Sequence, residues 1–190
     1  MFPTFLNESA DSVAKKLLGC FFERTINNKK ILVRIVETEA YDQDDEASHT
    51  YRGKTQRNAT MFGESGHLYV YFTYGMHYCC NVVASSSGYG AGVLIRAVEP
   101  VEGIEIIQKL RKNKMPIKNL TNGPGKLCQG LGIDKKFNGH DLREDPLKLI
   151  TGKLQKSEKI IQTTRIGVSQ AQNRKRRFYI KGNLYISKNS

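Results

Sequence analysis

Apolar residues at Ala10, Val13, Ala14, Leu17 and Leu18 keep the i, i+3, i+4, i+7, i+8 spacing of one helix face, and Gly19 follows as a stop. From Ser9 onward the spacing predicts a short first helix. Residues 20–26 and 31–41 are rich in β-branched and aromatic types on either side of Asn27-Asn28-Lys29-Lys30, which predicts a hairpin. Residues 42–46 read as an acidic loop, and residues 50–66, with Gly53, Gly63 and Gly66, read as irregular. Strand character returns at residues 67–74. Alternation there puts Tyr69, Tyr71 and Thr73 on one face and Val70, Phe72 and Tyr74 on the other, and Gly75 permits a sharp bend. Residues 78–84 and 92–98 predict two more strands around a Ser/Gly-rich loop at 85–90, so an antiparallel sheet is the economical arrangement. Ile104, Ile107 and Leu110 predict a helix over 102–112. Asn122-Gly123-Pro124 opens another, through Leu131, with Asn122 as its cap and an early proline. Further on, only short strands are predicted, at 147–151, 165–169 and 178–186, and no internal repeat is visible.

Composition narrows the class. The chain has 190 residues, 39% hydrophobic and 25% charged, enough for one core and too short for two large ones. Lys and Arg number 30 against 18 Asp and Glu, a net charge of +12, and the excess falls in the second half of the chain. That balance favours a polyanionic partner such as nucleic acid or an acidic membrane surface, although a solvated lysine-rich exterior has the same composition. No run of 18 apolar residues and no secretory signal is present, so the expectation is a cytoplasmic protein without a membrane span. Cys20, Cys79, Cys80 and Cys128 have neither disulfide-framework nor zinc-ribbon spacing. His49, His67, His77 and His140 form no metal pair, so neither metal nor cofactor is expected.

Two segments concentrate candidate chemistry. In Val36-Glu-Thr-Glu-Ala-Tyr41, Glu37, Glu39 and Tyr41 share one strand parity. A carboxylate beside an aromatic ring at a strand end suits a general base near a planar ligand; an exposed edge strand with its glutamates in water fits the spacing equally. In residues 68–81 aromatics occupy both faces. They suit core packing or stacking on nucleobases, while Tyr74, just before Gly75, sits where a large ring is hard to bury. Gly123-Pro-Gly-Lys126 lacks P-loop spacing, and its helix start suits either a DNA phosphate or an ordinary cap.

Taken in order, Val36-Glu-Thr-Glu-Ala-Tyr41, Glu46-Ala-Ser-His49, Arg57-Asn58 with Met61-Phe62, Leu68-Tyr-Val-Tyr71, Tyr74-Gly-Met76 with Asn81, Val93-Leu-Ile-Arg-Ala97 and Gly123-Pro-Gly-Lys-Leu-Cys-Gln129 resemble the alkyladenine (3-methyladenine) DNA glycosylases. The resemblance implies an α+β fold, a single mixed domain over residues 1–190. It would have a curved antiparallel sheet, flanking helices and a protruding β-hairpin that enters the DNA minor groove. It implies a monomer acting on double-stranded DNA that contains damaged purines, by base flipping and hydrolysis of the N-glycosidic bond. Carried over by motif, Glu39 looks like the base that activates water and Arg96 its partner, with the Ile166 carbonyl a third water contact. Tyr41 resembles one wall of the base pocket and His49 and Tyr71 the other; Ala47, Ser48 and Asn81 complete it, with Asn81 opposing the exocyclic amino group of guanine. Tyr74, Gly75, Met76 and His77 resemble the wedge hairpin, and Gly123, Gly125 and Lys126 a DNA contact. No lysine accompanies Glu39, so strand cleavage is not expected. Ser48, and His77 where an aromatic is usual, depart from the pattern, and residues 134–164 match it poorly. A non-catalytic DNA or RNA binder and an amide-cleaving hydrolase using Glu39 are the competing classes.

Overall fold

The computed structural model describes residues 1–112 and 115–187. Helix α1 (Ala10–Leu17) forms where the periodicity placed it: Ser9 Oγ accepts from the Ser12 amide at 3.4 Å, and Ala10, Val13, Ala14 and Leu17 are buried. Gly19 ends it at φ +89, where a Cβ would stand 2.8 Å from the Lys153 backbone, so the turn requires glycine. Strands β1 (Phe21–Ile26) and β2 (Lys29–Asp42) meet through a two-residue turn. Asn27 and Asn28 both hold positive φ, which asparagine tolerates, and β2 therefore starts earlier than expected. Strands β3 (Leu68–Thr73), β4 (His77–Val83) and β5 (Ala91–Glu102) follow, then helices α2 (Ile104–Leu110) and α3 (Pro124–Gly130). Strands β6 (Leu147–Ile150), β7 (Ile160–Thr163) and β8 (Arg177–Ile180) complete the chain.

All eight strands join one curled antiparallel sheet, in the order β3-β4-β5-β2-β1-β6, with β8 pairing both β2 and β7. The fold is α+β, as expected. Strand β2 is its axis. One edge follows β5; the other pairs with β1 as far as Arg34 and with β8 from Glu37 onward. At this fork the β2–β5 register shifts on both sides of Glu37, and such bulges redirect side chains. The core between sheet and helices holds Val13, Leu17, Phe22, Ile35, Ile95, Leu127 and Phe178. A separate small cluster of Met61, Tyr69 and Val83 with Tyr71 lies on the other side of the β3–β4–β5 region.

Several expectations are corrected. Strand β5 runs on to Glu102, with Pro100 paired to Val33, so α2 starts only after Gly103. Asn122 is not the cap of α3. Its side chain accepts from Lys126 Nζ at 2.7 Å and donates to Asn119, leaving Gly123 at the N-cap. Residues 165–169 form no strand, because the Ile166 amide and the Arg165 side chain bind carboxylates instead of a ladder partner; the strand is β7, upstream. The strand expected over 178–186 narrows to β8.

Candidate active site

The sheet register alone assembles a site. Glu39 lies opposite Leu94, Leu94 opposite Asn81, and Asn81 opposite Tyr69, so four strands set these side chains in one row on one face. Neighbouring rows on that face hold Tyr41 beside Gly92, and Tyr71 beside Cys79. Arg96 is the extra residue of β5 between the Glu37–Ala97 and Thr38–Ile95 pairs, and from there it reaches two carboxylates: Nε donates to Glu37 at 3.3 Å and Nη1 to Glu39 at 3.1 Å. Burial opposes its charge, yet Glu39 and Glu37 outweigh burial and hold its pKa above the ordinary value.

Glu39 is fully buried. Its Oε2 accepts from Arg96 and from the Tyr41 hydroxyl at 2.8 Å, and its Oε1 accepts from the Ile166 amide at 2.8 Å. A carboxylate has about four lone-pair positions, so three donors leave one on Oε1. Burial, and then the Glu39 charge, push the Tyr41 phenol well above its usual range, so Tyr41 remains a donor. Above Glu39 opens a cavity of about 470 Å³, inside the range of small-molecule sites. Tyr41, Arg96 and Ile166 line it directly, and the Glu39 carboxylate sits one layer beneath them.

The remaining sequence candidates converge here. Ala47, Ser48, His49, Tyr71, Tyr74 and Asn81 all line the cavity. His49 Nδ1 lies 3.0 Å from the Tyr69 hydroxyl, and its ring meets Tyr71 edge-on at 4.6 Å. Partial desolvation, and then Arg57, hold its pKa below the usual 6.5. Asn81 donates to the Tyr69 carbonyl at 3.3 Å, which fixes its amide across the floor.

The hairpin tip is Tyr74-Gly75-Met76, between the Thr73–His77 pair. Tyr74 and Gly75 both take positive φ, so Tyr74 leaves the strand alternation and reaches the cavity rim instead of the opposite face its parity suggested. Tyr74 is 79% exposed and Met76 69%. Helix α3 abuts the hairpin: a Cβ on Gly125 would stand 2.9 Å from the His77 ring. Pro124 lines the cavity, while Lys126 is turned towards Asn122, its pKa lowered by burial and by Arg111.

Sequence reasoning missed a second layer. Asp45 and Arg165, both buried, form a bidentate pair; Arg165 also donates to the Ala40 carbonyl and lies 4.7 Å from the centre of the Tyr41 ring. Asp45 further accepts from Arg176 at 3.0 Å and from the Ala47 amide at 3.1 Å. One carboxylate thus ties together the loop bearing Ala47 to His49, the backing of Tyr41, and the turn whose Ile166 amide holds Glu39. The acidic run from Asp42 was its only signal in the sequence. Glu37, noted for parity alone, proves to be a hub for Arg96, Arg177 and Ser187. Cys79, Leu94 and Met61 also line the cavity unforeseen.

Comparison with known proteins gives the family. Residues 4–184 match the family model described as methylpurine-DNA glycosylase. The chain belongs to that family. A protein of Carboxydothermus hydrogenoformans is 54% identical over 93% of this chain and 92% of its own length. A Francisella tularensis protein is 47% identical over 92% of each, and one from Methanoculleus marisnigri 45% identical over 97% and 96%. All three carry the provisional name 3-methyladenine DNA glycosylase. As a methylpurine-DNA glycosylase the chain is a DNA-repair hydrolase acting on N-glycosyl bonds, with DNA as its substrate. Among the described residues, no helix is long and apolar enough to cross a membrane.

Proposed function

We propose that this glycosylase excises alkylated or deaminated purines (3-methyladenine, 7-methylguanine, hypoxanthine, ethenoadenine) from duplex DNA, with Glu39 as the general base. The observation that carries the reading is the Glu39 carboxylate, held by three donors beneath the cavity with one acceptor position left on Oε1. The damaged nucleotide leaves the stack at a cost of a few kcal/mol, and rings on Tyr41, His49 and Tyr71 offset that cost by stacking. Water bound to Oε1 and to the Ile166 carbonyl attacks C1′ of the sugar. Its proton passes to Glu39, the C1′–N bond breaks, and the bonding pair leaves with the base. Positioned general-base help is worth about 10²–10⁴-fold.

Asn81, its amide fixed by the Tyr69 carbonyl, opposes the exocyclic amino group of normal guanine, and Ala47 and Ser48 close the pocket edge. Tyr74, at the exposed hairpin tip with Gly75, Met76 and His77, fills the gap in the duplex. Gly123, Gly125 and Lys126 approach the DNA backbone beside it. The chain works as one domain and as a monomer, in the cytoplasm with the chromosome. Among the described residues, no lysine lines the cavity above the Glu39 carboxylate, so the product is an intact strand with an abasic site.

Mass spectrometry of the supernatant after incubation with duplexes carrying each lesion tests the reading. Free modified purine is expected, with no strand break until alkali is added. Absence of any released purine overturns the proposal, and borohydride trapping of an enzyme–DNA adduct overturns the monofunctional mechanism.

A further inference from the structure

The β3–β4 hairpin has a second concave face. It encloses about 710 Å³ and is lined by Phe72, Tyr78, Gln56, Arg57, Lys135 and Asn138. Phe72 is 51% exposed, whereas Phe22 and Phe178 are fully buried. Its ring is nevertheless held, 5.0 Å from that of Tyr78 at an angle of 52°. Asn138 is held too, accepting from the Val70 amide of β3 at 3.0 Å. Among the described residues no acidic side chain lines this groove, and its two charged residues, Arg57 and Lys135, are both cationic and exposed. A fixed, half-exposed ring in a groove lined by Lys135, with Arg57 over the neighbouring Tyr71 ring at 6.0 Å, matches a nucleotide, whose base is planar and apolar on its faces and whose phosphates are anionic.

We propose that this groove is a second nucleotide site, in which Phe72 stacks on a base of the bound DNA while Arg57 and Lys135 contact its phosphates. Phe72 lies on strand β3, two residues before Tyr74 at the hairpin tip. The occupant is a nucleotide beside the wedge whose base has left the stack, because a base inside the duplex has both faces covered. The groove grips flanking DNA while the cavity on the opposite face of the same hairpin receives the lesion, and Tyr71 is the wall common to both. The inference rests on the glycosylase reading only for which nucleotide is extruded.

Phe72→Leu keeps an apolar contact with Tyr78 and removes the aromatic face. Affinity for a duplex holding an uncleavable abasic analogue is expected to fall roughly 5- to 150-fold, the equivalent of the about 1–3 kcal/mol per stacked base. Lys135→Gln is expected to reduce the slope of log affinity against log salt by about 1. With 5-iodouracil placed at successive positions from the analogue, wild-type protein is expected to photo-crosslink through Phe72 or Tyr78 at a position flanking the analogue. Unchanged affinity of Phe72→Leu, or crosslinks confined to other residues, overturns the groove. Base release by the wild type is measured beside it. If no base is released yet Phe72→Leu still binds more weakly, the second site stands and the glycosylase mechanism falls.

Discussion

Replacing Asp45 by asparagine tests whether the buried second layer positions the reactive one. In the folded protein the Asp45 carboxylate faces both terminal nitrogens of Arg165, Nη1 of Arg176 and the Ala47 amide. The asparagine side chain keeps one oxygen and no charge. Breaking one side of a buried ion pair costs about 3–5 kcal/mol. Arg176 retains Asp11 and Asp42, which puts the loss near the lower end, about 3 kcal/mol. Arg165 has less in reserve: its Nε is buried without a hydrogen-bond partner among the described residues, so Asp45 and the Tyr41 ring carry most of its compensation. For a chain of this size, 1 kcal/mol moves Tm by roughly 2–4 °C, so the expected drop is about 6–12 °C. Burial raises the Asp45 pKa, but Arg165, the Ala47 amide and Arg176 together hold it below the usual 3.8. Its stabilisation is thus complete above about pH 4 and lost as pH falls through the folded value, and Asp45→Asn should flatten that acid limb of the stability curve. Function separates positioning from mere stability. In Asp45→Leu with Arg165→Met, apolar packing replaces the pair, so stability should recover towards wild type. Single-turnover base release should stay about 10²-fold down, because Tyr41 and the Ile166 turn have lost their common anchor. Thermal melts and release of hypoxanthine from one duplex provide both readouts. Full activity in the double variant would refute the positioning role, and an unchanged Tm in Asp45→Asn would refute the energetics.

Four further outcomes follow from the same geometry. Tyr74→Ala should leave Tm unchanged, since the ring is 79% exposed, yet weaken binding to a lesion duplex in a fluorescence-anisotropy titration. His49 stays neutral at pH 7, so lesion affinity should be flat above pH 7 and change only on acidification below about 6.5, read from Kd against pH. Affinity for undamaged duplex should fall steeply between low and physiological salt; a flat response would exclude phosphate contacts as its source. Gly125→Ala drives a methyl group to within 2.9 Å of the His77 ring, so the hairpin must shift; reduced lesion affinity is expected in the same titration.

Periodic elements were legible in the sequence because their signals are local. Helix α1 and the strands carrying Glu39, Tyr71 and Arg96 follow from spacing of apolar residues. The cavity was legible in outline, since Glu39 and Tyr41 share a parity and their neighbours carry family motifs. What stayed hidden depends on long-range pairing. Asp45 and Arg165 are 120 residues apart and gain meaning only when the turn at Ile166 closes on β2. Residues 165–169 look like a strand because Ile166 and Val168 alternate with polar neighbours, but tertiary hydrogen bonds claim their backbone. Asn122 looked like a cap on residue preference, whereas Lys126 competes for its side chain. Parity failed for Tyr74 because positive φ at the tip ends strand geometry one residue earlier.

The central claim is that Glu39 is the base. Glu39→Gln is nearly isosteric, but it turns an amide NH₂ towards a site where Tyr41, Arg96 and Ile166 are all donors, so one donor loses its acceptor and water loses its proton acceptor. Single-turnover release of hypoxanthine from one duplex, wild type against Glu39→Gln, measures this most directly, with circular dichroism and duplex affinity confirming that the variant folds and binds. Bound, folded protein is expected, with release slowed at least about 10²-fold. Equal release by the two proteins would contradict the role of Glu39.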